Sequence, residues 1–113
     1  MSQNIPVEIS LDKNRTKLKL KYKDDKTYVI SSELLRVESP SAEVQGHGGP
    51  KKIVRNKQNV KINSIEEIGN YAIRIIFSDG HNSGYYTWES LYNFSQNHNN
   101  LMLKYKNSIS SNR

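Results

Sequence analysis

Polar and apolar positions alternate strictly over residues 16–23, Thr-Lys-Leu-Lys-Leu-Lys-Tyr-Lys. Leu18, Leu20 and Tyr22 share one side, and Lys17, Lys19, Lys21 and Lys23 the other. A period of two predicts a strand with one wet face. Pro6–Leu11 alternates in the same way, and Asp12-Lys13-Asn14-Arg15 between the two runs reads as a turn, so the pair forms a hairpin. Asp24-Asp25-Lys26 is a second turn, leading into a short strand, Thr27-Tyr28-Val29-Ile30. Ser31 or Ser32 can then cap a short helix over Glu33-Leu34-Leu35-Arg36. Residues 37–52 break every pattern. They hold Pro40, Gly46, Gly48, Gly49 and Pro50, and make a loop longer than most connections in a compact domain.

Strand patterning returns with Val60, Ile62, Ile65 and Ile68, and Gly69-Asn70 makes a turn. Tyr71-Ala72-Ile73-Arg74-Ile75-Ile76-Phe77 reads as a central strand, with Tyr71, Ile73, Ile75 and Phe77 on one face. Ser78-Asp79-Gly80-His81 centres on Asp-Gly, a strong hairpin signal. Ser83-Gly84-Tyr85-Tyr86 is the returning strand, which places Tyr85 and Tyr86 on opposite faces. Thr87 caps a helix with Glu89 in its first turn, and Trp88, Leu91, Tyr92 and Ser95 form one stripe that docks on the sheet. From Gln96 onward Asn dominates; Leu101-Met102-Leu103 adds a packed turn, and Lys104 to Arg113 is expected to fray. The sum is an α+β domain: a small, mostly antiparallel sheet of about six strands, with a short mid-chain helix and a C-terminal helix packed on it. Residues 1–95 make the domain and residues 96–113 a polar, partly disordered C-terminal tail.

Composition narrows the picture. With 113 residues and 35% hydrophobic positions, the chain has room for one small core. No apolar run approaches the roughly 20 residues that span a membrane. The first residues lack the charged-then-apolar order of a signal peptide, so a cytoplasmic location is expected. With no cysteine there is no disulfide, no thiolate nucleophile and no Cys-based zinc site. The net charge is +6. Its excess lies in Lys13–Lys26 and in Lys51–Lys61, while residues 31–44 hold Glu33, Glu38 and Glu43 against Arg36. A positive field favours anionic partners, so the Lys17–Lys23 face and the Lys51–Lys61 segment could serve a nucleic-acid or anion-binding module. Equally, a lysine face keeps a small β-protein soluble. Lysine outnumbers arginine 12 to 5, which weakens the nucleic-acid reading, because base edges and phosphates are usually read by arginine.

Two segments are distinctive together: Leu34-Leu35-Arg36-Val37-Glu38-Ser39-Pro40-Ser41-Ala42-Glu43-Val44-Gln45-Gly46-His47-Gly48, and the run from Gly69 through Tyr71-Ala72-Ile73-Arg74-Ile75-Ile76-Phe77-Ser78-Asp79-Gly80-His81 to Leu91. Over roughly Pro6 to Phe94 the chain resembles the gamma-butyrobetaine-hydroxylase-like N-terminal domain family, also called DUF971. Family members include stand-alone small bacterial proteins, N-terminal domains of carnitine-pathway dioxygenases, and domains fused to Mrp-type P-loop ATPases that carry iron–sulfur clusters. In the dioxygenases the domain holds a structural zinc through three cysteines and one histidine. By this resemblance those positions fall on Ser39, Ser41, Val44 and His81. Serine hydroxyls are weak zinc donors and Val44 has no donor atom, so the resemblance carries over no zinc and no other cofactor. The chain also holds neither a facial-triad iron domain nor a P-loop, so neither the dioxygenase nor the ATPase activity is expected within it.

The expected role is therefore a non-catalytic protein-interaction or accessory module. The resemblance connects it to iron–sulfur cluster assembly through an Mrp-type ATPase as protein partner; no membrane partner is expected. The expected interaction surface comprises Arg36, Glu38, Ser39, Ser41, Glu43, His47, Asp79 and His81. Arg36 and Glu38 read either as a partner-binding pair or as a local ion pair. Asp79 and His81 read either as an acid–base pair or as a turn in which His81 hydrogen-bonds the Ser39–Ser41 loop, replacing the zinc by polar contacts. His81, His47 and Glu43 form the alternative, a cryptic metal site. His98, in the Asn-rich stretch, reads as a solvent residue, and Tyr85, Tyr86 and Trp88 read chiefly as core.

Overall fold

The computed structural model describes residues 4–40 and 53–111. Its elements are β1 (Glu8–Leu11), β2 (Lys17–Lys21), β3 (Thr27–Ser31), α1 (Ser32–Val37), β4 (Ile62–Ile68), β5 (Ala72–Phe77), β6 (Tyr85–Thr87), α2 (Trp88–Gln96) and α3 (His98–Ser111). The fold is α+β. Its strands pair antiparallel in two three-stranded sheets, β1-β2-β3 and β4-β5-β6.

Alternation dictates the first sheet. Leu18 and Leu20 of β2 are fully buried while Lys17, Lys19 and Lys21 are exposed. The register sets Leu18 against Leu11 and Ile30, and Leu20 against Ile9 and Tyr28, so one face is apolar throughout. In the second sheet, Ile73, Ile75 and Phe77 of β5 are buried and share that core with Ile62, Tyr86 and Leu91. Each fully buried Leu or Ile stabilises by about 1.5–3 kcal/mol relative to leaving it exposed. Tyr71 departs from the expected core face. It lies in the turn before β5 and is 52% exposed, and its carbonyl accepts the Trp88 N–H at 3.2 Å. Of the neighbouring tyrosines on β6, Tyr86 is buried and Tyr85 exposed.

The two sheets are stitched where the β1–β2 turn meets β4. Arg15 holds a left-handed backbone, φ 61°. Its carbonyl accepts the Ile62 N–H at 2.8 Å, and its Nη1 donates to the Asn63 carbonyl at 2.5 Å. Nearby, the Ser32 hydroxyl donates to the Val60 carbonyl at 2.6 Å.

Both predicted caps are present. Ser31 Oγ accepts the Leu34 N–H at 3.1 Å at the start of α1, and Thr87 Oγ1 accepts the Ser90 N–H at 3.1 Å at the start of α2. Trp88 and Leu91 are buried on α2, with Tyr92 and Ser95 half-buried on the same stripe. The polar tail read from residue 96 is corrected here. His98–Ser111 is a helix. Leu101, Tyr105 and Ile109 recur every four residues on it and face the core; Tyr105 is buried and donates its hydroxyl proton to the Val54 carbonyl. His98 is likewise not a solvent residue. Its Nε2 accepts the Ser31 N–H at 3.2 Å, which ties α3 to the cap of α1. Among the described residues, no helix is long and apolar enough to cross a membrane.

Candidate functional site

Two features of local sequence build one polar corner. The end of α1 carries Arg36, Glu38 and Ser39 out of the first sheet, and the Asp79-Gly80 turn closes the hairpin after β5. In that turn Gly80 supplies a left-handed φ of 90°, and the His81 carbonyl accepts the Phe77 N–H at 2.9 Å. Asp79 Oδ1 accepts the His81 N–H at 3.2 Å, an Asx-type bond within the turn.

The Asp79 carboxylate is the hub. Oδ2 accepts from Arg36 Nε at 2.8 Å and from Lys57 Nζ at 2.6 Å. Burial alone would raise its pKa. The hydrogen bonds from Lys57, the His81 N–H and Arg36, with the Arg36 charge, outweigh burial and hold the carboxyl at about 2. Arg36 therefore pairs with a residue 43 positions away rather than with Glu38.

A second cluster lies behind the hub. Ser39 Oγ and His81 Nε2 are 2.8 Å apart, and both residues are buried. Tyr86 donates its hydroxyl proton to the Leu35 carbonyl and also hydrogen-bonds Ser39. Burial pushes the Tyr86 phenol far above its ordinary value, against the opposing pull of Ser39 and the Arg36 charge. Gly84 lies against this cluster: a Cβ there would fall 2.4 Å from Ser39 Oγ and 3.2 Å from Pro40 Cδ. Only a residue without a side chain allows the strand to approach so closely.

Of the eight expected surface residues, the structure gathers Arg36, Ser39, Asp79 and His81. Ser41, Glu43 and His47 lie outside the described residues, as does Val44. Arg36, Ser39 and His81 are not surface groups. At 8%, 0% and 8% exposure they brace the corner from within. Glu38 and the Asp79–Ser83 turn form its rim. Lys57, Gly84 and Tyr86 were not among the expected site residues. A glycine inside a strand pattern is itself a sign of close backbone approach, so Gly84 carried a readable signal. Lys57 carried none, since nothing local links it to Asp79.

The arrangement bears on two chemistries. Ser39 beside His81 has the spacing of a nucleophile and its base. Yet Ser39 has no accessible surface, and Asp79 faces Arg36 and Lys57 and touches His81 only through the backbone N–H. The orienting carboxylate of a triad is thus engaged elsewhere. The zinc geometry is not met either. Two donors on a tetrahedral zinc sit about 3.3 Å apart with the ion between them, whereas these two are in direct hydrogen-bond contact. Among the described residues, no three His, Asp or Glu side chains converge on one point.

Comparisons with known proteins place the chain among relatives of the same fold. Two proteins with solution NMR structures are 41% and 36% identical to the chain. Each alignment covers 97% of this chain, with 87% and 83% of theirs, at TM-scores of 0.84 and 0.82. A crystal structure of a protein of unknown function from Acidithiobacillus ferrooxidans, placed in the DUF971 family, is 33% identical over 80% of this chain and 92% of that one, with a TM-score of 0.67. No curated protein matches the chain. The family model described as gamma-butyrobetaine hydroxylase-like, N-terminal, matches residues 9–92. The chain belongs to the gamma-butyrobetaine hydroxylase-like N-terminal family.

Proposed function

We propose that this chain is a non-catalytic docking module that serves iron–sulfur cluster assembly or transfer through an Mrp-type P-loop ATPase. The observation that carries the reading is that the acid and the imidazole of the corner are both engaged by its own residues. Asp79 accepts from Arg36, Lys57 and the His81 N–H, while His81 Nε2 is committed to Ser39. Groups spent on one another hold a shape rather than turn over a substrate. What the corner presents outward is the end of the hairpin, Gly80, Asn82 and Ser83, beside Glu38. A fixed turn on a sheet is a natural recognition element. The link to the ATPase rests on family resemblance.

The test is calorimetric titration of the purified chain with the Mrp-type ATPase of its own host. Association is expected, and Asn82→Arg or Glu38→Lys should weaken it at least about tenfold, roughly 1.4 kcal/mol. No heat of binding, or binding indifferent to both substitutions, overturns the reading. A parallel measurement addresses the metal. If polar contacts have replaced the zinc, a chelator leaves the melting temperature unchanged; a fall of several degrees, or one equivalent of metal in the purified protein, contradicts it.

A further inference from the structure

The outer face of the first sheet is unusual in its charge. β2 is the central strand, and Lys17, Lys19 and Lys21 all point outward from it. Side chains at alternate positions of a strand stand about 6.8 Å apart. Outer sheet faces commonly set opposite charges across neighbouring strands, because such pairs stabilise and like charges repel. Here the cross-strand partners are small and neutral: Ser10 and Val29 flank Lys19, Thr27 flanks Lys21, and Ser31 flanks Lys17. Glu8, opposite Lys21, is the one acid in this register. Asp12 lies near Lys17, but its Oδ1 accepts the backbone N–H groups of Thr16 and Lys17 at 2.8 and 2.9 Å. Among the described residues, no ion pair engages any of the three lysines. The short flanking side chains leave a flat cationic ladder open to a partner.

We propose that this ladder is a docking surface for an extended protein segment carrying carboxylates at alternate positions. An extended chain repeats its side chains with the same period as β2, so three acids can meet three ammonium groups in one register. The face argues against a nucleic acid as occupant. Single strands are held by bases stacked on aromatic rings, and both nearby rings, Tyr22 and Tyr28, turn to the core side. Nor does the ladder include an arginine. Val29, 42% exposed between the lysines and the sheet edge, offers an apolar contact that suits a peptide side chain better than a phosphate. This surface is separate from the Asp79 corner, and the proposal does not depend on the function proposed there.

The probe is a synthetic ten-residue peptide with glutamate at every second position and threonine between. Its control is a peptide of equal composition with the glutamates in one block. Binding is read by amide chemical-shift changes in the isotope-labelled full chain and by fluorescence anisotropy. The alternating peptide should shift amides of β1, β2 and β3 and bind more tightly than the block peptide. Replacing Lys17, Lys19 and Lys21 together by Gln should weaken it at least about tenfold. Glu8→Gln, which removes the one acid on the face, should tighten it. Absence of binding, equal binding of the two peptides, indifference to both sets of substitutions, or tighter binding of a single-stranded oligonucleotide of matched charge would each overturn the proposal.

Discussion

Protonating Asp79 removes the acceptor that Arg36 and Lys57 share. The carboxyl is held at about 2, below the ordinary aspartate range, so the folded state binds this proton less readily than the unfolded chain. Its contribution is therefore fully present above about pH 4 and is lost as pH falls toward 2. Asp79→Asn should lower stability at neutral pH by about 1–2 kcal/mol, a figure reduced for the part of the carboxylate that still meets water. The difference from the wild type should shrink as pH falls through that window. Denaturant unfolding of both proteins at pH 7, 4 and 2.5 reads it, and a gap that stays constant with pH would reject the assignment. At Gly84 the argument is steric. Gly84→Ala drives a methyl group against Ser39 Oγ and should cost about 1–3 kcal/mol. Because the closest contact is that oxygen, adding Ser39→Ala should recover part of the loss. A double-mutant cycle should show a coupling larger than about 0.5 kcal/mol, and strict additivity would refute the close-packed reading.

At the scale of elements, one cap serves two helices. Ser31 Oγ bonds the first turn of α1 and lies 3.2 Å from His98 Nε2 at the start of α3. Thr87→Ala, which removes a cap with one client, should cost about 1 kcal/mol. Ser31→Ala should cost more, and hydrogen exchange of the His98–Met102 amides should quicken in that variant alone. Equal exchange in both variants would show that α3 does not depend on the cap. These elements also show what sequence patterning conveys. The alternation of β2, the Asp79-Gly80 turn and both caps were legible because each is written in neighbouring residues. Helix α3 was hidden because its Asn-rich composition reads as solvated chain; its apolar stripe, Leu101, Met102, Tyr105 and Ile109, is narrow and interrupted by polar residues. Tyr71 was misplaced because strand propensity does not reveal that a carbonyl is needed one residue earlier, to receive Trp88. Within the corner, a contact between Ser39 and His81 was among the sequence expectations. The Arg36–Asp79–Lys57 hub was not, since its members come from three segments that only the folded core brings together.

The molecule as a whole should be sensitive to base. Burial, then the neighbouring phenols of Tyr92 and Tyr28, raises Tyr22 to about 12, and burial also raises Tyr86 and Tyr105. Unfolded tyrosines ionise near 10, so above that pH the unfolded chain releases protons that the folded chain retains. Stability is thus intact below about pH 10 and falls as pH rises through 12. Ultraviolet titration of phenolate absorbance should show a group of tyrosines that ionise late and together with unfolding; titration of all seven as exposed phenols would contradict the packing. Tyr22→Phe sharpens the point. Among the described residues its buried hydroxyl has no hydrogen-bond partner, so the variant should be as stable as the wild type or more so at pH 7, and less sensitive to base.

Arg15 has a consequence for how the two halves are joined. Its left-handed backbone is set within its own turn, by the Arg15 N–H on the Asp12 carbonyl at 3.0 Å and by the Asp12 carboxylate on the Thr16 and Lys17 N–H groups. The same residue then offers its carbonyl to Ile62 and its guanidinium to Asn63. One position thus serves both as the bend of the first hairpin and as the rivet to the second sheet.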